Sequence, residues 1–158
     1  MGKINFNLAE VVVFRRRTTP EFLVLKRSNE ETIYPGLWQI VSGGIELGEK
    51  AYEAAMREVE EEIGIKPNHL YNTPLTNTFY LAKDDSVNVS PVFAAEVEDG
   101  TEVKLSAEHT DFRWLKKEDA VSLLVWPGQK KAIGIVNDYV LTDNPSRNFM
   151  EIKYGRLS

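Results

Sequence analysis

The sequence GGIELGEKAYEAAMREVEEEIGI, at positions 43–65, carries the pattern from which the fold and the chemistry of this chain are predicted. Its two opening glycines predict a turn. A helix is then predicted from about Glu49 to Ile63, ending at Gly64 with Pro67 just beyond. The last two turns of that helix hold four carboxylates, Glu58, Glu60, Glu61 and Glu62. Such a helix repels itself unless a cation lies beside it, so a divalent metal ion, and chemistry on phosphates, is expected here.

The carboxylates of this helix divide into two groups. At about 100° per residue, Glu58, Glu61 and Glu62 share one arc of about 100°, whereas Glu60 is expected to face solvent, outside the site. The apolar stripe that faces the core is separate from the acidic arc and consists of Tyr52, Met56, Val59 and Ile63. A solvated acidic surface helix is the alternative interpretation. Three like charges on one face, without lysine among them, disfavour it.

The remaining sequence predicts an α/β or α+β fold in one domain, residues 1–158, with a polar tail from about Thr142. The first two strands are expected to form a hairpin through a turn at 18–20. Strands are predicted at 9–14, 22–25, 38–41, 75–81, 87–97 and 112–115, and two further helices at 117–124 and 129–141.

Composition excludes several classes of protein. A formal net charge of −5 argues against bulk attraction to nucleic acid or to an anionic membrane. Without cysteine there are no disulfides and no thiolate metal site. The first residues contain no apolar signal region, and no run approaches the length of a membrane span, so a cytoplasmic protein is expected.

The acidic stretch resembles the box of the Nudix hydrolase family. That box runs glycine, five residues, glutamate, seven residues, then Arg-Glu-apolar-any-Glu-Glu-any-Gly-apolar. Gly43, Glu49 and the run at 57–65 fill every fixed position. The order of predicted elements extends the resemblance over roughly residues 8–141. The resemblance implies an α/β/α sandwich with a mixed β-sheet and a catalytic loop-helix-loop. It also implies metal-dependent hydrolysis of a nucleoside diphosphate linked to another group.

The resemblance also implies roles for the box residues. The metal ligands would be Glu58, Glu61 and Glu62, with the carbonyl of Gly43 as a further ligand, and the ion would be Mg²⁺ or Mn²⁺. Glu61 and Glu62 also count among the catalytic groups. A pair, Arg57 and Glu49, would orient the carboxylates. Neither of the two histidines, His69 and His109, is placed near the box in the sequence, so a glutamate is expected as the general base.

Glu108 is the candidate catalytic and metal-binding residue from outside the box. It precedes His109 and a predicted strand that ends in Trp-Leu. This pattern resembles one found in Nudix members that act on nucleoside triphosphates and dihydroneopterin triphosphate, in which the glutamate reaches the metal. An ordinary surface glutamate is the alternative. His109 is expected to support local structure.

The substrate prediction depends on the residues before the box. Ser42 stands where many family members have proline, and with Trp38 and Gln39 it resembles the dATP and dihydroneopterin triphosphate pyrophosphatase group. That implies cleavage of a triphosphate to a monophosphate and pyrophosphate. Arg27, Trp38 and Ser42 would then contact substrate. The alternatives are a surface arginine at position 27 and a core tryptophan at position 38.

Two other functions are kept as alternatives. One is hydrolysis of dinucleoside polyphosphates, within the same family. The other is nucleotide binding without hydrolysis, which the complete box disfavours. The expected partner is a small nucleotide or pterin triphosphate, without nucleic acid or membrane, and the chain is expected to be either a monomer or a homodimer.

Overall fold

The protein is described from a computed structural model, which covers residues 1–153; residues 154–158 of the predicted tail lie outside the described residues. Eight strands and four helices follow one another along the chain. The strands are β1 (Lys3–Asn5), β2 (Leu8–Arg15), β3 (Glu21–Arg27), β4 (Trp38–Gln39), β5 (Val41–Gly44), β6 (His69–Leu81), β7 (Ser86–Glu96) and β8 (His109–Leu115). The helices are α1 (Ala51–Ile63), α2 (Lys117–Leu123), α3 (Pro127–Ile135), which continues as a π-helical turn (Val136–Val140), and α4 (Arg147–Met150).

All eight strands belong to one mixed sheet. Strand β7 pairs in parallel with β1 and β2 and antiparallel with β6. Strand β2 pairs antiparallel with β3 and β5, and β3 pairs antiparallel with β4 and β8. The predicted first hairpin is confirmed, with Phe14 opposite Phe22.

Side chains of the central strands alternate between two apolar cores, one on each face of the sheet. Val11 and Val13 pack against α1 on one face, together with Val59 and Ile63 of that helix. On the other face, β2 contributes Val12 and Phe14, which pack with residues of α2, α3 and the π-helical turn, among them Ala120, Ile133 and Val136. Helices therefore cover both faces, and the predicted α/β/α arrangement is confirmed.

The prediction of a turn at the paired glycines is wrong. Gly43 and Gly44 lie in β5, opposite Ala9 and Leu8 of β2. The turn comes later, at Gly48, whose φ of 81° lies in the left-handed region. The predicted strand at 38–41 is also divided, because the backbone N–H of Ile40 donates to the side chain of Gln129 at 3.3 Å instead of to a neighbouring strand.

Helix α1 begins two residues later than predicted. Lys50 is its N-cap, and the Glu53 carboxylate accepts from the Lys50 backbone N–H at 2.9 Å. Glu49 therefore lies in the preceding loop. The helix ends as predicted at Gly64, which has a left-handed φ of 69°.

The described part of the tail has structure that the sequence did not indicate. It forms α4, and Glu151 then pairs with Tyr71 of β6 as an isolated bridge. The predicted helix at 129–141 begins two residues earlier, at Pro127, and its last part, Val136–Val140, is π-helical. Among residues 1–153, no helix is both long and apolar enough to span a membrane.

Candidate active site

Gly43 brings β5 into direct contact with α1. A Cβ built at this position would overlap the carboxylate of Glu58, with every atom of that group too close for a real contact. The φ of Gly43 is not in the left-handed region, so contact with Glu58, and not backbone strain, makes glycine necessary here. Strand and helix thus meet at the first acidic residue of the predicted metal site.

Arg57 connects this helix to the loop before it. Its Nε and Nη2 donate to the two carboxylate oxygens of Glu49, at 2.8 and 2.9 Å. Its Nη1 donates to Glu58 at 2.8 Å and to Glu61 at 3.2 Å, and Nη2 also reaches the carbonyl of Gly44 at 2.7 Å. The hydrogen bonds from Arg57 lower the pKa of Glu49 to about 2, so Glu49 stays ionised. This arrangement suits the orienting pair that the resemblance implied.

Glu62 is the most deeply buried carboxylate of the box, with 3% of its surface exposed. Burial, and then the charges of Glu58 and Glu108, raise its pKa to about 9, although the backbone N–H of Ser42 donates to it. Burial also raises the pKa of Glu58, against the opposing effect of Arg57. Within residues 1–153, Oε2 of Glu62 has no hydrogen-bond partner. Burial therefore opposes ionisation of both carboxylates, and the hydrogen bond from Arg57 offsets this effect in part at Glu58.

Strand β8 brings two further donors to this group. One carboxylate oxygen each of Glu62 and Glu108 and one ring nitrogen of His109 lie within 4.8 Å of one another. The expectation that no histidine lies near the box is wrong, because β8 pairs with β3 and places His109 opposite Arg27. The Glu-His sequence was the available signal, but its distance from the box along the chain concealed the contact.

The imidazole ring of His109 also contacts the side chain of Gln39. Nε2 of its ring lies 3.1 Å from Nε2 of Gln39, and Nδ1 has no partner among the described residues. Burial, followed by the charge of Arg27, lowers the pKa of His109 to about 4, so the ring is neutral near pH 7. Sequence reasoning assigned no role to Gln39.

Of the remaining predicted residues, Glu61 and Arg27 adjoin this group, whereas Trp38 packs against the core on the face of the sheet opposite α1. Glu61 is 58% exposed at its side chain and contacts Arg57. Arg27 donates to the carbonyl of Ile33 at 2.8 Å and to Glu31 at 3.2 Å. Its positive charge acts to lower the pKa of both Glu62 and His109. Trp38 is half-buried, and the guanidinium of Arg113 lies 4.9 Å from its ring centre.

The donor set suits a divalent cation. Carboxylate oxygens are the preferred ligands of Mg²⁺ and Mn²⁺. A cation at this position would offset the burial and the neighbouring negative charges that raise the pKa of Glu62, and it would give the orphaned Oε2 a partner.

Comparison with known proteins agrees with this fold and site. A model of the NUDIX domain matches residues 7–134. The nucleoside triphosphatase NudI of Escherichia coli K12 is 31% identical over 107 residues, which are 63% of this chain and 76% of that protein. The chain therefore belongs to the NUDIX domain family, and the prediction of an enzyme that hydrolyses phosphoric anhydrides is confirmed.

Solved structures show the same fold. The dihydroneopterin triphosphate pyrophosphohydrolase of E. coli superposes with a TM-score of 0.70 at 27% identity, over 82% of this chain and 94% of that one. A NUDIX hydrolase of Listeria monocytogenes gives 0.73 at 27% identity, over 92% and 97%. The Ap4A hydrolase of C. elegans, at 22% identity over 89% and 98% of the two chains and a TM-score of 0.69, shows the common fold alone.

Proposed function

We propose that the chain hydrolyses a pyrophosphate linkage in a nucleoside triphosphate or a related triphosphate, releasing a monophosphate and pyrophosphate. The observation that carries the proposal is the buried Glu62 carboxylate beside those of Glu58 and Glu108, where burial, and then the charges of these two neighbours, raise the pKa of Glu62 to about 9. A protein has little reason to bury such a group unless a cation joins it. Divalent cations are what phosphate substrates require.

In this proposal the cation is Mg²⁺, with Mn²⁺ as the alternative. It would be held by Glu58, Glu61, Glu62, Glu108 and the carbonyl of Gly43. When bound, it supplies positive charge that offsets the negative charge developing on the phosphate oxygens. Arg57, fixed by its two bonds to Glu49, holds Glu58 and Glu61 in position without entering the metal site.

In this proposal a carboxylate, and not a histidine, accepts the proton that is released during hydrolysis. The attacking water must lose a proton, and a neighbouring glutamate accepts it as general base. His109 is less suited to this task because its pKa is lowered to about 4, far below the range in which an imidazole accepts a proton at neutral pH.

A triphosphate substrate is supported by two relatives. NudI, 31% identical, is named a nucleoside triphosphatase, and the E. coli neighbour at 27% identity is a dihydroneopterin triphosphate pyrophosphohydrolase. Arg27 is proposed to contact phosphate, since it ends β3 beside Glu62 and His109. Ser42, adjacent to Gly43, and the ring of Trp38 are proposed as further substrate contacts.

The test is a hydrolysis panel with product identification at saturating Mg²⁺ or Mn²⁺. It contains dATP and the other nucleoside triphosphates, dihydroneopterin triphosphate, a dinucleoside polyphosphate and ADP-ribose. Pyrophosphate and a monophosphate from a triphosphate are expected. If the dinucleoside polyphosphate is the only compound cleaved, with release of a nucleoside triphosphate, the result would contradict the proposal and favour a dinucleoside polyphosphate hydrolase. Tight nucleotide binding without turnover of any compound would instead favour a binding domain.

A further inference from the structure

His109 adds a nitrogen donor to a site that otherwise offers only oxygen. We propose that His109 coordinates the divalent cation held by Glu62 and Glu108, and that this ligand makes the site prefer a transition-metal ion such as Mn²⁺ or Co²⁺ to Mg²⁺. The inference rests on the proposed function, because it concerns the same cation. It goes further by adding a ligand from outside the box and a preference among metals.

The distances allow a shared cation. One donor atom from each of Glu62, Glu108 and His109 lies within 4.8 Å of the other two. Bonds of about 2.1 Å place two ligand atoms up to about 4.2 Å apart when they lie on opposite sides of an ion. Only one pair among three ligands can lie opposite each other, and neighbouring ligands are about 3.0–3.4 Å apart, so the site closes by a contraction of up to about 2 Å through side-chain rotation.

Two orphaned atoms provide the independent observation. Oε2 of Glu62 and Nδ1 of His109 have no hydrogen-bond partner among residues 1–153, and their residues are only 3% and 4% exposed. A buried polar atom without a partner is destabilising, because it has lost its hydrogen bonds to water without replacement. Two such atoms on side chains of the same cluster are explained together if one cation binds both.

Gln39 completes the arrangement around the ring. A metal-binding histidine usually donates its second ring N–H to a fixed acceptor, which sets the orientation of the ring. Gln39 lies 3.1 Å from Nε2 of His109 and is 6% exposed. Turned to present its amide oxygen, Gln39 accepts the Nε2 proton and leaves the lone pair of Nδ1 for the cation. An amide keeps its shape when turned in this way, so the surrounding packing is preserved.

The metal preference follows from the donor types. Carboxylates and carbonyls suit both Mg²⁺ and Mn²⁺, whereas imidazole favours first-row transition metals over Mg²⁺, with a preference that rises from Mn²⁺ to Co²⁺. Replacement of His109 by leucine should therefore weaken Mn²⁺ and Co²⁺ binding by about 10-fold or more and change Mg²⁺ binding by less than about 3-fold.

Pulsed EPR of the Mn²⁺-loaded protein tests the ligand directly, because a coordinated imidazole nitrogen couples to the electron spin. The wild-type protein is expected to show this coupling, and ¹⁵N-histidine labelling should alter it without any mutation. His109→Leu should lose the coupling and the tighter Mn²⁺ binding. His69→Leu is the matched control, since His69 lies on β6 and contacts Glu151 instead of the box, and it should retain both.

The outcomes separate this inference from the proposed function. Absence of nitrogen coupling in the labelled wild-type protein, or its persistence in His109→Leu, would overturn the inference while hydrolysis of a triphosphate continued to support the function. Coupling that disappears only in His109→Leu supports the ligand even if no compound in the hydrolysis panel is cleaved.

Discussion

The Cα of Gly43 lies directly against the carboxylate of Glu58, so strand β5 and helix α1 meet at an acidic group without an intervening side chain. The neighbouring strand β2 fixes this contact from behind, because Ala9 pairs with Gly43 and is fully buried.

Replacement of Gly43 by alanine should displace the Glu58 carboxylate. We expect Gly43→Ala to lower kcat/KM by about 100-fold or more, which corresponds to about 2.7 kcal/mol of transition-state stabilisation. Divalent metal affinity, measured by calorimetry, should fall with it. The cause is steric, so the circular dichroism spectrum should stay close to that of the wild type.

Gly44→Ala is the matched control for this prediction. A Cβ at Gly44 would meet only the carbonyl oxygen of Asn7, at 3.9 Å, which is an ordinary contact. Its backbone carbonyl would still accept from Arg57. Gly44→Ala should therefore keep activity within about 3-fold of the wild type. Equal losses in the two variants would show that the contact between Gly43 and Glu58 is not the reason for the glycine.

Arg57→Lys should impair the site although it preserves the charge. A lysine offers one ammonium group, which cannot make the two parallel bonds to Glu49 and also reach Glu58 and the carbonyl of Gly44. We expect kcat to fall by about 10- to 100-fold, with a smaller change in KM. Steady-state kinetics on the substrate identified by the panel measures both.

The comparable substitution Arg16→Lys provides the control. Arg16, directly after β2, forms an ion pair with Glu96 at the end of β7 at 2.8 Å, away from the box. This variant should leave both kinetic constants within about 2-fold. A similar fall in kcat for Arg16→Lys would mean that loss of any arginine ion pair, and not disorder of the carboxylates, lowers turnover.

Glu62→Gln tests the central carboxylate. The substitution keeps the volume but removes the negative charge, so the cation should lose a ligand while the core around Val59 and Ile63 is retained. Turnover should fall by at least about 100-fold. Glu60 lies on the exposed face of the same helix, so Glu60→Gln should leave turnover unchanged. Normal turnover in Glu62→Gln would contradict the assignment of Glu62 to the metal.

The sequence predicted most of the helix-borne part of this site, because helical spacing fixes which side chains share a face. The predicted separation of Glu60 from Glu58 and Glu62 is confirmed, since Glu60 is exposed and Glu62 is buried. The position of Glu49 was not predictable by the same reasoning. Helical periodicity placed Glu49 away from the acidic arc, but α1 begins only at Ala51, and the loop turns Glu49 back onto Arg57.

Contacts between residues of different strands were the other feature that the sequence did not predict. Gly43 and Gly44 were predicted to form a turn from local propensity, which strand pairing with β2 overrode. His109 and Gln39 are 70 positions apart in the chain, and only the pairing of β3 with both β4 and β8 makes them neighbours. The Glu-His pattern and the Trp-Gln pair were visible in the sequence, but without that topology nothing placed His109 beside Gln39 or beside the box.

The metal-free protein should become less stable as the pH rises from 7 to 9. The pKa of Glu62 is about 9 in the folded protein and close to 4.5 when the chain is unfolded. The folded state therefore binds this proton more tightly, and the stability that it contributes is complete below pH 4.5 and lost as the pH rises through 9. Within this window the slope is about 1.4 kcal/mol per pH unit until the pH nears 9, which corresponds to about 7 °C in Tm from pH 7 to 9.

This pH window isolates Glu62 from the nearby histidine. The pKa of His109 falls from 6.5 to about 4 on folding, so its effect on stability is confined to lower pH, where stability is lost as the pH falls. Differential scanning calorimetry of metal-free samples should show a flatter pH dependence for Glu62→Gln and an unchanged one for Glu60→Gln. Saturating Mg²⁺ or Mn²⁺ should abolish the wild-type slope, because the cation then takes the place of the proton. Identical slopes for the wild type and Glu62→Gln would show that the pKa of Glu62 is not raised by its burial beside Glu58 and Glu108.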